Sequence, residues 1–162
     1  LEEAYGDALV KLAAKYPDDI CEAHNLILGE FNKLQFKEDN EAFVKAVEPI
    51  YKRLPINSFE DKHFCIVFPQ LRSDLVTEGR SLSHCVGTSN YYANHMKGTR
   101  MIFFVRKVSK RNKPFFTMEV DMKEHRIMQL YGYGNRTAPR DVRQFAELFV
   151  KALCPKKKKK KR

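Results

Sequence analysis

The sequence predicts an α+β fold: a helical N-terminal portion, a small antiparallel sheet of about four strands, and a closing C-terminal helix. Three observations carry this. Apolar residues recur at three-and-four spacing over the first third of the chain. After position 62 short β-branched and aromatic runs alternate with polar loops. A last amphipathic stretch then begins at Thr137-Ala138-Pro139.

The spacing of Ala4, Ala8, Leu9, Leu12 and Ala13 predicts a first helix from Glu2 to Lys15, closed by Tyr16-Pro17. Asp18-Asp19 caps a second over Cys21 to Phe31, and Phe43, Val44, Val47 and Tyr51 mark a third over Asn40 to Leu54, with Pro49 expected to kink or end it. The turn-rich Pro55 to Lys62 is the boundary. The chain thus divides into a helical portion at 1–54, an α+β domain at 55–155 and a basic tail at 156–162.

Strands are expected at His63–Phe68, Arg100–Val108, Phe115–Met122 and His125–Tyr133, with Ser109 to Pro114 as a hairpin loop and a helix from Arg72 to Gly79. In the fourth strand Ile127, Gln129 and Tyr131 are expected to share one face, opposite Met128, Leu130 and Gly132. The final helix carries Val142, Phe145, Leu148, Phe149 and Leu153 as its apolar stripe, covers one sheet face and stops at Cys154-Pro155.

The net charge of +10 over 162 residues is misleading, because Lys156 to Arg162 is an unbroken basic run and the remainder carries only +3. That run reads either as an arm attracted to phosphate or as a solvated terminus. No apolar stretch reaches the roughly 18 to 20 residues that span a bilayer, so no membrane insertion is expected and the protein is placed in the cytoplasm. Cys21, Cys65, Cys85 and Cys154 form no C-x-x-C pair and read as reduced thiols. His24, His63, His95 and His125 lack metal-ligand spacing and read as surface or core histidines. No metal and no cofactor is called for.

The most distinctive string is Glu78-Gly79-Arg80-Ser81-Leu82-Ser83-His84-Cys85-Val86-Gly87, followed by Tyr91, Tyr92 and Gly98, then by IFFVRK, PFFTMEV and QLYGYGN. This order of motifs resembles the PcfJ-like proteins of conjugative plasmids and related mobile elements over roughly the second half of the chain. The resemblance implies a setting in plasmid transfer, with proteins of a transfer complex as partners, and no established catalytic role. The positions that match are His84, Cys85, Gly87, Arg106, Thr117, Glu119, Gln129, Gly132 and Asn135.

Chemistry read from the residues gives three candidate sets. His84, Cys85 and Glu119 are candidate catalytic groups, although adjacent His84 and Cys85 are no dyad by spacing alone, and a buried structural Cys beside a hydrogen-bonded His is the plainer reading. Arg106, Thr117 and Gln129, with Asn135 at the rim, either converge on one sheet face as a ligand pocket or form a wet face with an Arg106 to Glu119 ion pair. A metal-dependent nuclease would recruit Asp121 with Glu119, and Asp61 or Glu78 from elsewhere, but the spacing does not favour it. Arg100, Lys107, Lys110, Arg111, Lys113, Arg136 and Arg140, interleaved with Phe103, Phe104, Tyr131 and Tyr133, form a candidate nucleic-acid surface; otherwise the aromatics are core and the cations its rim. The leading expectation is a mobile-element accessory protein that binds nucleic acid or a transfer complex. An enzyme centred on His84, Glu119 and Arg106, and a helical scaffold for protein partners, are the alternatives.

Overall fold

The computed structural model describes residues 7, 10, 11 and 20–155. By compactness the chain divides between Glu41 and Ala42 into two units. Most of the expected first helix and the basic tail lie outside the described residues.

The second and third expected helices are one, α1, Ile20–Arg53, and Pro49 sits inside it without ending it. Proline removes one N–H donor, but the helix needs only four more residues to finish, and its apolar side is anchored: Phe43 and Val47 are buried. Residues 20–41 of this helix belong to the N-terminal unit, and there Gln35 donates to Asp39 at 3.2 Å.

In the second unit β1 (Phe64–Val67), β2 (Arg100–Lys107), β3 (Phe116–Asp121) and β4 (Arg126–Tyr131) form an antiparallel sheet in sequential order. α2 (Arg72–Leu82) runs three residues beyond its expected end, and α3 (Ser89–Lys97), which the sequence reading left unassigned, follows it. α4 (Arg140–Leu153) closes the chain. The Asp74 carboxylate starts α2 by accepting from the backbone N–H groups of Gln70 and Leu71 at 2.8 and 2.9 Å. No helix among the described residues is long and apolar enough to cross a membrane.

Strand alternation makes two cores. Met101, Phe103, Val105, Phe116, Met118 and Val120 face α4, where Val142, Phe145 and Phe149 meet them; Phe103 and Phe149 pack edge to face at 4.9 Å. Ile102 and Phe104, on the opposite face, join Phe43, Val47, Leu75 and Val86. Both faces of the sheet are therefore covered, one by α4 and the other by elements including α2.

The fourth strand departs from simple alternation. Register slips between Glu119 and Val120, so Gln129 opposes Glu119, Ile127 opposes Val120, and Met128 is left without a partner on β3. Ile127 packs with the α4 core while Gln129 turns to the other face. The bulge separates two residues that strict alternation places together.

Candidate functional site

The second face of the sheet brings polar residues into register. Phe104 opposes Thr117, Ile102 opposes Glu119, and β4 adds Gln129 beside Glu119 and Tyr131 beside Thr117. Above them lies the segment that leaves α2. Ser83 ends the helix in the left-handed conformation (φ 52°), His84 is extended, and Cys85–Gly87 forms a single 3₁₀ turn.

Two glycines clamp this segment onto α2. A Cβ on Gly79 would stand 2.9 Å from the His84 carbonyl oxygen, and one on Gly87 would stand 2.9 Å from the Val76 Cα. Leu82 and Val86 are buried between these contacts. The Glu78-to-Gly87 string thus fixes one backbone approach and sets His84 and Cys85 over the sheet.

Beneath them is a buried ion pair. Leu75, Glu78, Gly79 and Leu82 are all buried along α2, so Glu78 occupies an apolar stripe at 1% exposure. Its carboxylate accepts two hydrogen bonds from Arg106, 2.9 Å from Nη1 and 2.6 Å from Nη2, and a third from the Thr117 hydroxyl at 2.8 Å. The guanidinium also lies over the Phe104 ring at 4.8 Å. Arg106 pairs with Glu78, not with Glu119 as the wet-face alternative had it.

This pair orients His84. Thr117 has one hydroxyl proton and spends it on Glu78, which can only accept, so the contact of 3.1 Å between Thr117 Oγ1 and His84 Nε2 must have the imidazole as donor. In the neutral ring Nε2 then carries the hydrogen and Nδ1 keeps its lone pair. Partial burial lowers the His84 pKa, against the nearby Glu78 charge and the residue's own carbonyl, which raise it.

His84, Cys85, Tyr91, Thr117, Glu119, Gln129, Tyr131 and Asn135 line a cavity of about 30 Å³, and His84, Cys85 and Asn135 also line a wider cleft of about 560 Å³ with Arg80, Ser83 and Thr88. Tyr91 donates to Gln129 Oε1 at 3.3 Å and lies 3.8 Å from the Cys85 sulfur. Glu119 is 6% exposed, and no described residue hydrogen-bonds its carboxylate; burial raises its pKa, opposed by Arg100. Of the expected pocket residues, Thr117, Gln129 and Asn135 line the cavity together with all three catalytic candidates. Arg106 stands behind it and acts through Glu78. Cys85 is exposed rather than buried.

Sequence reasoning missed Glu78 as the anchor and Tyr91 as a wall. The signal for Glu78 was present: a lone carboxylate inside the apolar spacing of Leu75, Gly79 and Leu82 needs a buried partner. The nuclease grouping does not assemble. Glu78 is committed to Arg106, Asp121 accepts from the backbone of Lys123 and Glu124, and among the described residues no three His, Cys, Asp or Glu side chains form a metal-holding group.

The cationic candidates divide by place. Lys107, Lys110, Arg111 and Lys113 cluster at the β2 to β3 hairpin, and Arg136 reaches the same end, over the Phe116 ring at 5.2 Å. Arg140 opens α4. Arg111 pairs with Glu60 at 2.7 Å, and Arg100 begins β2 at the far end of the sheet. Phe103 and Phe104 are core residues, whereas Tyr131 and Tyr133 are exposed, the latter at 66%.

A family model described as PcfJ-like protein matches residues 3–146, well beyond the half over which motifs were legible. The chain is 30% identical over 143 residues to "Uncharacterized protein Lin1253/Lin1744" of Listeria innocua, a match covering 87% of this chain and 31% of the relative's length. No solved structure matches the chain.

Proposed function

The chain belongs to the PcfJ-like protein family, and from that premise and the cavity's geometry we propose that it is an enzyme whose acid–base centre is His84. The observation that carries this reading is the chain of hydrogen bonds from Arg106 through Glu78 and Thr117 to His84. A buried, doubly bonded carboxylate holds a hydroxyl, which holds an imidazole in one tautomer at the wall of a polar cavity. Orientation of a base by a second group, itself oriented by a third, is the arrangement proton-transfer sites use. Glu119, whose pKa burial raises, supplies a second acid–base group, and Gln129 and Asn135 supply hydrogen-bonding walls. Cys85 stands beside the base as a candidate nucleophile.

The test is turnover of p-nitrophenyl esters and bis-p-nitrophenyl phosphate by the full chain, His84→Ala and Thr117→Val. Loss of about 10²-fold or more in kcat for His84→Ala, and a smaller loss with unchanged KM for Thr117→Val, are expected. Activity that His84→Ala leaves intact would contradict the proposal.

A second reading has its own support: the hairpin cations Lys107, Lys110 and Lys113 lie at the same sheet end as Arg136 and the exposed Tyr133, a pattern suited to a phosphate backbone with base stacking. It accords with a mobile-element accessory protein that engages nucleic acid or a transfer complex. Single-stranded DNA binding by the chain ending at Pro155, with a steep salt dependence lost in a Lys107, Lys110, Lys113→Ala variant, would support it.

A further inference from the structure

Among the described residues, one edge of the sheet is left unfinished. β4 is paired with β3 alone among the described strands. Its C-terminal end is covered, because Tyr131 bridges Thr137 and the Gly132 N–H donates to the Arg136 carbonyl at 2.8 Å. N–H direction alternates along a strand, so the outward N–H of Gly132 implies an outward N–H at Leu130. Met128, without a partner on β3, marks the bulge at which that row ends.

Beside this edge runs a groove of about 580 Å³ between β4 and α4. Ile127, Leu130 and Val150 give it an apolar floor, and Arg143, Glu147 and Lys151 recur every four residues along its α4 rim. Arg143 and Lys151 make no ion pair with a described residue, and Arg126 adds a third cation at the strand's start. A strand edge flanked by a helix is the geometry in which a peptide adds as a further strand.

We propose that this groove binds an extended acidic segment of a partner protein, which pairs with β4 as a fifth strand. The charge selects the occupant. An isologous contact with a second copy would set the same net-positive rim, Arg126, Arg143 and Lys151 with one Glu147, against itself. The chain's own Lys156 to Lys161 run also has the wrong sign. An acidic strand meets three cations and one carboxylate, and gains the outward N–H of Leu130.

The test is fluorescence anisotropy with the full chain and a labelled Glu-Val repeat hexapeptide, its Lys-Val counterpart, and the Glu-Val peptide N-methylated at alternate residues. The acidic peptide is expected to bind with Kd on the order of 100 μM, the N-methylated form at least about tenfold more weakly, and the basic peptide not at all. Arg143→Glu with Lys151→Glu, both at exposed positions, should invert the preference. No binding of the acidic peptide, equal binding of both signs, or indifference to N-methylation would overturn the proposal. So would a dimer in sedimentation that the charge reversal dissociates.

Discussion

Two histidines on the same side of the sheet show what separates a structural site from a chemical one. His95, on α3, is fully buried and both its nitrogens are engaged: Nδ1 accepts from the Ile102 N–H at 2.8 Å, and Nε2 lies 2.7 Å from the Tyr51 hydroxyl, which donates to the Pro69 carbonyl at 2.7 Å. Pairing of β1 with β2 ends at Phe104, so His95 satisfies the N–H of Ile102 where the ladder stops. The ring stacks on Phe43 at 5.4 Å, and burial pushes its pKa down to about 3. His84 has one nitrogen held by Thr117 at the wall of a cavity, and no second side chain among the described residues holds the other. A saturated imidazole joins elements; a half-saturated one, held in a single tautomer, is equipped to move a proton.

The largest effect should come from breaking the anchor of the second network. Arg106→Met leaves the Glu78 carboxylate buried and unpaired, and is expected to cost about 3–5 kcal/mol in denaturant unfolding. Replacing both Arg106 and Glu78 with apolar residues should recover much of that loss while His84 still loses its fixed tautomer. This would separate stability from orientation.

Next is the first network. His95→Leu strands the Ile102 N–H and leaves the Tyr51 hydroxyl with its bond to Pro69 alone, at a cost of about 2–4 kcal/mol. In the parent protein the folded state refuses a proton that the unfolded chain accepts below its ordinary pKa of 6.5. Stability should therefore fall as pH drops from 6.5 toward about 3, by at most about 1.4 kcal/mol per pH unit from this group. His95→Leu should lose that component and retain the weaker one, of the same sign, from His84.

Gly79→Ala tests the clamp between α2 and the His84 segment. The contact at 2.9 Å is with backbone, which cannot simply rotate away, so a cost of about 1–3 kcal/mol is expected together with a shifted His84 resonance. The smallest effect belongs to Glu119→Gln. Burial makes the ionised carboxylate unfavourable, so the amide should stabilise the protein at neutral pH by up to about 1 kcal/mol. That advantage should disappear as pH falls below the ordinary 4.5 and both states of the wild type become protonated.

How much of this was legible in the sequence follows from the range of the interactions. Strands β1 to β4 and helix α4 were readable because each carries its own periodicity, and their polar residues Thr117, Glu119 and Gln129 came out on one face. α3 was not, since Ser89–Lys97 is short and polar and draws its order from His95 and from Arg72 over the Tyr92 ring at 4.0 Å. The continuity of α1 past Pro49 depends on Phe43 and Val47 finding a core. The β4 bulge depends on pairing with β3, so no local pattern announced it. Glu78 was named only as a motif letter and a spare carboxylate, because its meaning requires Arg106, 28 residues away.

The buried pair fixes the tautomer of His84, and ¹⁵N NMR of the imidazole measures it directly. Near neutral pH the expected result is a neutral ring protonated at Nε2, titrating below the ordinary 6.5, with Thr117→Val releasing that preference. A ring protonated at Nδ1, or one whose tautomer is unmoved by Thr117→Val, would contradict it.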